Sequence, residues 1–554
     1  MTYLLSISIG PVQEFIAAAR RTADLRAGSQ LLQQLAGHIA AQITQQGGTL
    51  IFPASADVPG PNKVVAQIDT DQPSEMVSML KESATEWLWQ QWQRVRERLK
   101  AEGVLVNDQL AQEQIAAFLE FYAAWVPLHG DYSAARQRVE LLLAGRKVLR
   151  DFAQPSSVHG NPKSPLDPSR DCVIILNRKG SWYQVPDNAQ QSPSLRFKKT
   201  EFLDAISLLK RGQEARDVPS TSLLAARSVL PIAEKRVPDA VETLRAAVRD
   251  THGLVDMGDL MFPARLQEEA SAHPVLQQQR EQIEEARRKI LRSAGVSECP
   301  PYYAVLVADG DRMGRLIGMQ NTVDKHRALS QAMAGVARQM SEAIQQRDGY
   351  CVYAGGDDVL ALLPVNRALE CAVQLAHLFR KAISFFVTSE DAGGTLSVGV
   401  AIAHHLESLQ RTLQWAREAE KLAKRQRNAL GLALHLRGGA PLEVATSWQK
   451  DPYLESWMVW ISAFRQGLSH GFPYELLHLA REAEGCHLNA ETLRGEARRI
   501  LNRKQGREAK GGMEPFRQQM EAELEKIHNV HDLEALAHRL IIARFLSRYP
   551  EVDV

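Results

Sequence analysis

Two short acidic clusters are the strongest chemical feature of the sequence. Asp-Gly-Asp at 309–311 follows an apolar run at 302–308, and Gly-Gly-Asp-Asp at 355–358 joins two further apolar runs. Carboxylates that converge on one spot repel one another at neutral pH, and divalent cations relieve this repulsion. Mg²⁺ prefers carboxylates together with substrate phosphates. The pattern therefore predicts a site where two metal ions activate a hydroxyl and stabilise a leaving pyrophosphate.

The elements around the clusters are predicted to bring them together. Apolar and helical spacing predicts a strand, a helix, a hairpin, a helix, a strand and a helix at 302–308, 325–345, 350–363, 368–386, 395–403 and 409–427. This order is the ferredoxin-like arrangement with one extra helix. Its first strand lies beside the hairpin, so we expect the clusters to meet in space. The two glycines allow a positive φ and close approach of a nucleotide.

The alternative for 355–358 is an ordinary hairpin turn, because Gly and Asp favour turns for local reasons. The upstream Asp-Gly-Asp at the end of a strand favours the metal site instead. Lys424 lies at the border of an apolar helix face, where its ammonium group can reach a triphosphate; the alternative is a solvent-exposed lysine. Ser397 lies on the strand beside the hairpin and is a candidate nucleotide neighbour, with plain strand packing as its alternative.

The rest of the chain begins with a second α/β pattern. A strand at 3–9, a break at Gly10-Pro11, and helices at 12–26 and 29–43 are predicted, and residues 75–125 are expected to be helical. Residues 200–300 and those after about 446 are also expected to be mostly helical. Trp448, Trp457 and Trp460 are predicted core anchors of the last segment.

Composition excludes several classes of protein. The chain has 554 residues, with 66 Lys and Arg against 65 Asp and Glu, and 45% of its residues are hydrophobic. These values are typical of a globular protein and give no overall attraction to nucleic acid. The five cysteines form no CxxC or CxH pair, so no zinc site is expected. Their odd number without pairing predicts a reducing, cytoplasmic location. No signal peptide or membrane segment is predicted.

Several segments resemble one known family. Tyr302–Gly314 and Tyr353–Leu360 are similar to the second palm domain of the large subunit of type III CRISPR effector complexes. The start of the first palm in the Cmr (type III-B) branch is similar to residues 9–16 and 19–29, and motifs at 219–222 and 258–262 also agree. Position 26 is Arg where an aromatic residue is expected in this family.

The resemblance implies a cyclic oligoadenylate synthase: a nucleotidyltransferase that joins ATP molecules and releases pyrophosphate. Its partners would be the other type III subunits, the CRISPR guide RNA and a matching target RNA, whose binding switches on the activity. The expected catalytic residues and ligands of two Mg²⁺ or Mn²⁺ ions are Asp309, Asp357 and Asp358. The expected nucleotide-binding residues are Gly310, Asp311, Gly355, Gly356, Ser397 and Lys424.

The expected fold is therefore α/β (α+β), with two ferredoxin-like palms and helical domains. The expected boundaries are 1–215 for the first palm with a helical insertion, 216–299 for a helical domain, 300–440 for the second palm, and 441–554 for a C-terminal helical domain. Because the first palm begins at residue 3, no HD nuclease domain is expected before it.

Three alternative functions remain at this point. One is a catalytically silent assembly scaffold, which the intact carboxylates argue against. Another is conjugation of AMP to a small molecule such as S-adenosylmethionine, which the same metals would also serve. The third is a stand-alone dinucleotide cyclase of the GGDEF type, which the missing Glu-Phe after Gly-Gly-Asp and the N-terminal palm oppose.

Overall fold

A computed structural model gives the structure of the protein, and it describes residues 1–551 except 58–61, 150–159, 180–181, 193–194, 196, 214–216, 388–392, 487 and 505–512. The predicted class is confirmed, since two ferredoxin-like sheets are each followed by helices. None of the helices in these ranges is long and apolar enough to cross a membrane.

The first palm is a four-stranded antiparallel sheet in the order β2-β3-β1-β4. Alternate residues of β1 face opposite sides: Leu5 and Ile7 contact helices α2 and α3, whereas Leu4 contacts α5. Its elements are β1 (Thr2–Gly10), α1 (Gln13–Ala17), α2 (Thr22–Gln45), β2 (Thr49–Phe52), β3 (Lys63–Asp69), α3 (Pro73–Ala101), α4 (Asp108–Ala116), β4 (Glu120–Pro127) and α5 (Tyr132–Val148).

Two sequence predictions for the first palm were wrong in detail. The helix expected over 12–26 is broken after α1, because Lys210 donates from its ammonium group to the carbonyls of Phe15 and Ala18 where the chain leaves that helix. The expected helical stretch at 75–125 ends early, because β4 begins at Glu120 and pairs with β1. Tertiary pairing overrides the helical composition of the neighbouring residues there.

A segment with a small hairpin and many short helices connects the two palms. Its helices after residue 220 pack on one face of the second sheet, where Val305 and Leu360 join their core. Its elements are β5 (Asn177–Lys179), β6 (Trp182–Gln184), α6 (Asp187–Gln191), α7 (Ala205–Arg211), α8 (Thr221–Ala226), α9 (Leu230–Arg236), α10 (Pro238–Asp250), α11 (Met257–Met261), α12 (Pro263–Ala272), α13 (Pro274–Gln278) and α14 (Arg280–Ser293).

The second palm repeats the order of the first as β8-β9-β7-β10 and adds two strands beside β10. The strand β11 is parallel to β10, and β12 is antiparallel to β11 although it lies past residue 440. Its elements are β7 (Tyr302–Gly310), α15 (Met313–Gly318), α16 (Val323–Gln345), β8 (Tyr350–Ala354), β9 (Val359–Pro364), α17 (Val365–Ile383), β10 (Leu396–His404), α18 (Leu409–Gln426), β11 (Ala429–Leu434) and β12 (Leu442–Ser447).

Among the described residues after the second sheet, five helices share a core with the face that α16 and α17 cover. Trp457 and Trp460 are fully buried and Trp448 is 4% exposed, as the sequence predicted. The indole N–H of Trp448 donates to the carbonyl of Leu396 at 3.1 Å, which ties this segment to β10. The helices are α19 (Glu455–Arg465), α20 (Phe472–Glu484), α21 (Ala490–Lys504), α22 (Glu514–Glu525) and α23 (Val530–Leu546).

Candidate metal and nucleotide site

Three carboxylates meet where β7 ends beside the β8–β9 hairpin. The pairing of β7 with β9 reaches Ala308 and Val359, so Asp309 comes next to the hairpin tip that carries Asp357 and Asp358. Their ligand oxygens all lie within 4.8 Å of one another. In the part of the chain that the structure describes, no other set of three His, Cys, Asp or Glu side chains is grouped in this way.

Glycines make the close approach of these strands feasible. Gly356 has a φ of +93°, a left-handed value that favours glycine at this turn. The amide of Gly355 donates to the carbonyl of Asp358 at 2.9 Å and closes the hairpin. A Cβ atom on Gly310 would lie 2.8 Å from the Cβ atom of Asp357, so a larger residue there would push the hairpin away from Asp309.

The cluster carries negative charge that the protein only partly neutralises. Burial and the neighbouring Asp358 carboxylate raise the pKa of Asp357 to about 7. Asp358 has the most exposed side chain of the three, yet surrounding protein atoms desolvate its carboxylate and raise its pKa to about 6. Oxygen ligands with unbalanced charge at a partly open edge fit a divalent cation such as Mg²⁺ or Mn²⁺.

Helix α18 brings a lysine and a further carboxylate to the cluster. The ammonium group of Lys424 pairs with Asp309 and lies 3.6 Å from Glu420, one helical turn earlier. Burial, with Asp358 and Asp311 nearby, raises the pKa of Glu420 to about 7. Lys424 therefore lies beside the carboxylates, and its contact with a triphosphate stays a prediction.

Two glycines let α18 approach the sheet closely. A Cβ atom on Gly399 would lie 2.2 Å from the backbone nitrogen of Glu420, and one on Gly431 would lie 2.0 Å from the carbonyl oxygen of Ala419. The backbone of α18 therefore rests directly on β10 and β11. This contact places Glu420 and Lys424 over the end of β7.

Asp311 and Ser397 are joined by a hydrogen bond next to the cluster. Ser397, on β10, pairs with Asp309, and β10 lies across β7 from the hairpin and not beside the hairpin as the sequence predicted. Both carboxylate oxygens of Asp311 accept hydrogen bonds: from the hydroxyls of Ser397 and Thr395 at 2.7 Å and from the amide of Asn428 at 2.8 Å. Asp311 is 3% exposed and Ser397 is fully buried. This bonding joins the start of β10 to the loop after α18, and Asp311 is not among the three grouped carboxylates.

A cavity of about 230 Å³ lies between the palms beside the hairpin. Gly355 and Gly356 form part of its wall, Met333 comes from α16, and the first palm contributes Arg26 and Phe52. A Cβ atom on Gly355 would meet nothing within 4 Å, so this glycine faces open space. The hairpin thus has carboxylates on one side and a partly apolar cavity on the other.

Sequence reasoning missed Glu420 and the first palm's share of the cavity. Glu420 could have been found, because it lies four residues before Lys424 and therefore on the same helix face. The only signal for Arg26 was its departure from the expected aromatic residue. Its place depends on how the two palms pack, which no local pattern encodes.

Two domain models match the chain in order. The second palm domain of Cas10/Cmr2 matches residues 302–431, and the N-terminal domain of the CRISPR-associated protein Cmr2 matches residues 4–140. Together these two matches cover just under half of the chain, and each matched segment is similar to its domain of the Cas10/Cmr2 family. The match to the second palm includes the three carboxylates, both turn glycines and Lys424.

Related proteins match most of the chain. The CRISPR system Cmr subunit Cmr2 of Pyrococcus furiosus is 25% identical over 75% of this chain, which spans 59% of that relative's length. A chain of the type III-B Cmr-beta complex matches with a TM-score of 0.67 in the apo state, at 12% identity, over 99% of this chain and 82% of that one. A chain of Cmr-beta bound to cognate target RNA matches with a TM-score of 0.62 and 12% identity, over 92% of this chain and 79% of that one.

The Csm1–Csm4 cassette in complex with cA4 matches with a TM-score of 0.51 and 13% identity, over 98% of this chain and 70% of that one. At such identities these likenesses show the fold alone.

Proposed function

We propose that this chain is the large subunit of an RNA-guided type III-B CRISPR complex and that its second palm converts ATP into cyclic oligoadenylates. In each step a ribose hydroxyl attacks the α-phosphorus of a 5′-triphosphate, a phosphoester bond forms as the α–β phosphoanhydride bond breaks, and pyrophosphate and the hydroxyl proton leave; the last attack, on the oligomer's own triphosphate, closes the ring. The observation that carries the proposal is the convergence of Asp309, Asp357 and Asp358 beside Lys424 at the tip of a palm.

The carboxylates are suited to hold two Mg²⁺ or Mn²⁺ ions. Bound ions would lower the pKa of the attacking hydroxyl and neutralise charge on the pyrophosphate. Lys424 would exchange its partner Asp309 for a phosphate oxygen, because an ammonium group binds phosphate as a point charge. Gly355 leaves room for the nucleotide, and the cavity behind the hairpin offers an apolar wall for a base.

Two relatives support the substrate and the partners. The Csm1–Csm4 cassette has been solved with cA4, and Cmr-beta has been solved with cognate target RNA. By likeness to them, this chain would work among other Cmr subunits with a guide RNA and would respond to a matching target RNA. The Asp311–Ser397 hydrogen bond supports an architectural part for these two residues, behind the nucleotide.

A product assay tests the proposal. The chain is reconstituted with its neighbouring Cmr subunits, guide RNA and target RNA, supplied with labelled ATP and Mg²⁺ or Mn²⁺, and the products are identified by mass spectrometry. We expect adenylate rings that the variant Asp357→Ala/Asp358→Ala reduces by about a thousandfold or more, because several kcal/mol of charge stabilisation is lost.

A matched control removes two negative charges elsewhere. Glu284→Ala/Glu285→Ala breaks surface ion pairs on α14, which contribute little to stability, and should leave product formation unchanged. No ATP consumption under any condition would contradict the proposal and favour an assembly scaffold. If ATP were consumed only when a small molecule such as S-adenosylmethionine is added, the product would be an AMP conjugate and the synthesis of adenylate rings would be contradicted.

A further inference from the structure

Each palm donates an arginine to the edge strand of the other. On α2 of the first palm, Arg26 donates to the carbonyl of Val352 in β8 at 2.6 Å. On α16 of the second palm, Arg327 donates to the carbonyl of Leu50 in β2 at 2.8 Å. Each arginine is the fifth residue of its helix, and the two helices occupy equivalent places in their palms. The contact between the palms is therefore reciprocal.

Both accepting carbonyls lie at irregularities of an outermost strand. In β8, Cys351 opposes Ala361 and Tyr353 opposes Leu360, so Val352 is an extra residue in the ladder. In β2 the register shifts in the same way between Leu50 and Phe52. A bulge on an edge strand leaves backbone groups without a ladder partner and re-aims the residues after it. Arg26 satisfies the carbonyl of the extra residue Val352, and Arg327 bonds that of Leu50, the residue before the extra residue in β2.

The two contacts differ in the segment that comes after the bulge. Val352 is followed within a few residues by the Gly-Gly-Asp-Asp turn at 355–358, whereas the residues just after Leu50 carry none of the three grouped carboxylates, although Phe52 and Pro53 line the same cavity as Gly355. Arg26 also lines the cavity whose wall includes Gly355 and Gly356. The guanidinium is thus positioned to fix both the register of β8 and the approach of the hairpin to β7.

We propose that Arg26 is a positioning residue through which the first palm sets the metal-binding geometry of Asp357 and Asp358 in the second palm. This inference rests on the proposed metal site. A hydrogen bond from a charged donor to a bulged carbonyl holds a strand more firmly than a neutral one. Residues that orient metal ligands in this indirect way typically change metal affinity about 10–100-fold when they are replaced.

The first test measures Mn²⁺ affinity of the purified full chain by electron paramagnetic resonance or calorimetry. We expect Arg26→Gln to weaken Mn²⁺ binding about tenfold. Arg26→Lys should recover part of this loss, since an ammonium group can still donate to the Val352 carbonyl. Arg327→Gln is the matched control: it removes the reciprocal contact, with a similar cost in stability, and should leave Mn²⁺ affinity within twofold.

The second test measures hydrogen–deuterium exchange without metal, so it does not depend on the proposed function. Arg26→Gln should speed exchange in residues 350–358, and Arg327→Gln should speed it in residues 49–53 instead. Unchanged exchange at 350–358 in Arg26→Gln, or an equal loss of Mn²⁺ affinity in both variants, would overturn the inference. If the unmodified chain binds no Mn²⁺, the proposed metal site fails, while the exchange data still decide whether Arg26 holds the hairpin.

Discussion

The two palms have the same sheet order, but their first strands end differently. Strand β1 ends with Ile9 and Gly10 before Pro11, whereas β7 ends with Asp309 and Gly310. Ile9 is 2% exposed and belongs to the core of its palm. At the equivalent place, Asp309 is a ligand candidate at the edge of the second sheet. The fold needs a strand at this position but does not dictate whether its last residues pack or bind.

A buried charged group of the first palm is paired with the segment that connects the two palms. The carboxylate of Asp24 accepts two hydrogen bonds from Arg211 on α7, at 2.9 and 2.7 Å, and Arg211 also pairs with Glu201 at 2.6 Å. All three side chains are at least 96% buried. In the second palm, by contrast, burial and the Asp358 carboxylate raise the pKa of Asp357. Thus buried ion pairs compensate the charge of Asp24 in the first palm, whereas the grouped carboxylates of the second palm can still bind a cation.

The largest expected effect comes from removing the carboxylate at the end of β7, which β1 lacks. Asp309→Asn keeps the size of the side chain but removes one ligand charge and the partner of Lys424. We expect pyrophosphate release by the reconstituted complex to fall about a thousandfold, because the metals then stabilise the leaving group less well. Mn²⁺ affinity of the free chain should fall as well.

The control for Asp309→Asn lies on β3 of the first palm. Asp69→Asn changes an exposed carboxylate whose partner is the hydroxyl of Thr2 at 2.5 Å. It should leave turnover and Mn²⁺ binding unchanged. If Asp309→Asn also left turnover unchanged, the difference between the ends of β1 and β7 would have no chemical meaning.

Sequence reasoning succeeded where one short segment carries the information. The apolar run before Asp309 and the hairpin with Gly355 and Gly356 predict both the strand pairing and the meeting of the carboxylates, because adjacent strands leave few alternatives. It failed for β4 of the first palm, where pairing with β1 decides the structure of a segment next to long helices. It also did not foresee that Asp311 bonds Thr395 and Ser397, since those bonds join segments far apart in the chain.

The second prediction tests the architectural charges of the first palm. Burial alone would raise the pKa of Asp24, but the charges of Arg211 and Arg21 outweigh it and hold that pKa below its usual range. Asp24→Asn should therefore lower the free energy of unfolding by about 3 kcal/mol at pH 7, measured by denaturant titration. A depressed pKa gives stability that is present above the unfolded value, near pH 4, and is lost as the pH falls further. The cost of Asp24→Asn should shrink in that range.

A surface pair in the same palm is the control for Asp24→Asn. Asp108 also forms two hydrogen bonds with an arginine, Arg96, but their side chains are 58% and 40% exposed. Asp108→Asn should cost less than about 1 kcal/mol, since exposed ion pairs are screened by solvent. Equal losses of unfolding free energy in the two variants would mean that the buried ion pair of Asp24 stabilises the protein no more than the exposed pair of Asp108.

The third prediction distinguishes the role of Lys424 from the role of the carboxylates that it contacts. Lys424→Met should lower kcat/KM for ATP about a hundredfold, because one charge that stabilises the triphosphate is missing. Unlike Asp309→Asn, it should leave Mn²⁺ affinity equal or tighter, since the ammonium group no longer competes for Asp309. Lys421→Met, an exposed lysine on the same helix, should change neither quantity. Weaker Mn²⁺ binding in Lys424→Met would show that Lys424 supports the cluster's structure instead.

The smallest expected effect concerns the close packing of α18 on β10 and β11. In the first palm, the strand equivalent to β10 is β4, and it contains no glycine. Gly431→Ala would put a Cβ atom 2.0 Å from the carbonyl oxygen of Ala419, so α18 must move outward. We expect a loss of about 2 kcal/mol in unfolding free energy, as for other overpacked sites. Gly485→Ala, where a Cβ atom meets nothing within 4 Å, should cost under about 0.5 kcal/mol. Because α18 carries Lys424, Gly431→Ala should also raise KM for ATP severalfold at a temperature where the chain remains folded. A stability loss with an unchanged KM would mean that Lys424 reaches the nucleotide without this close packing.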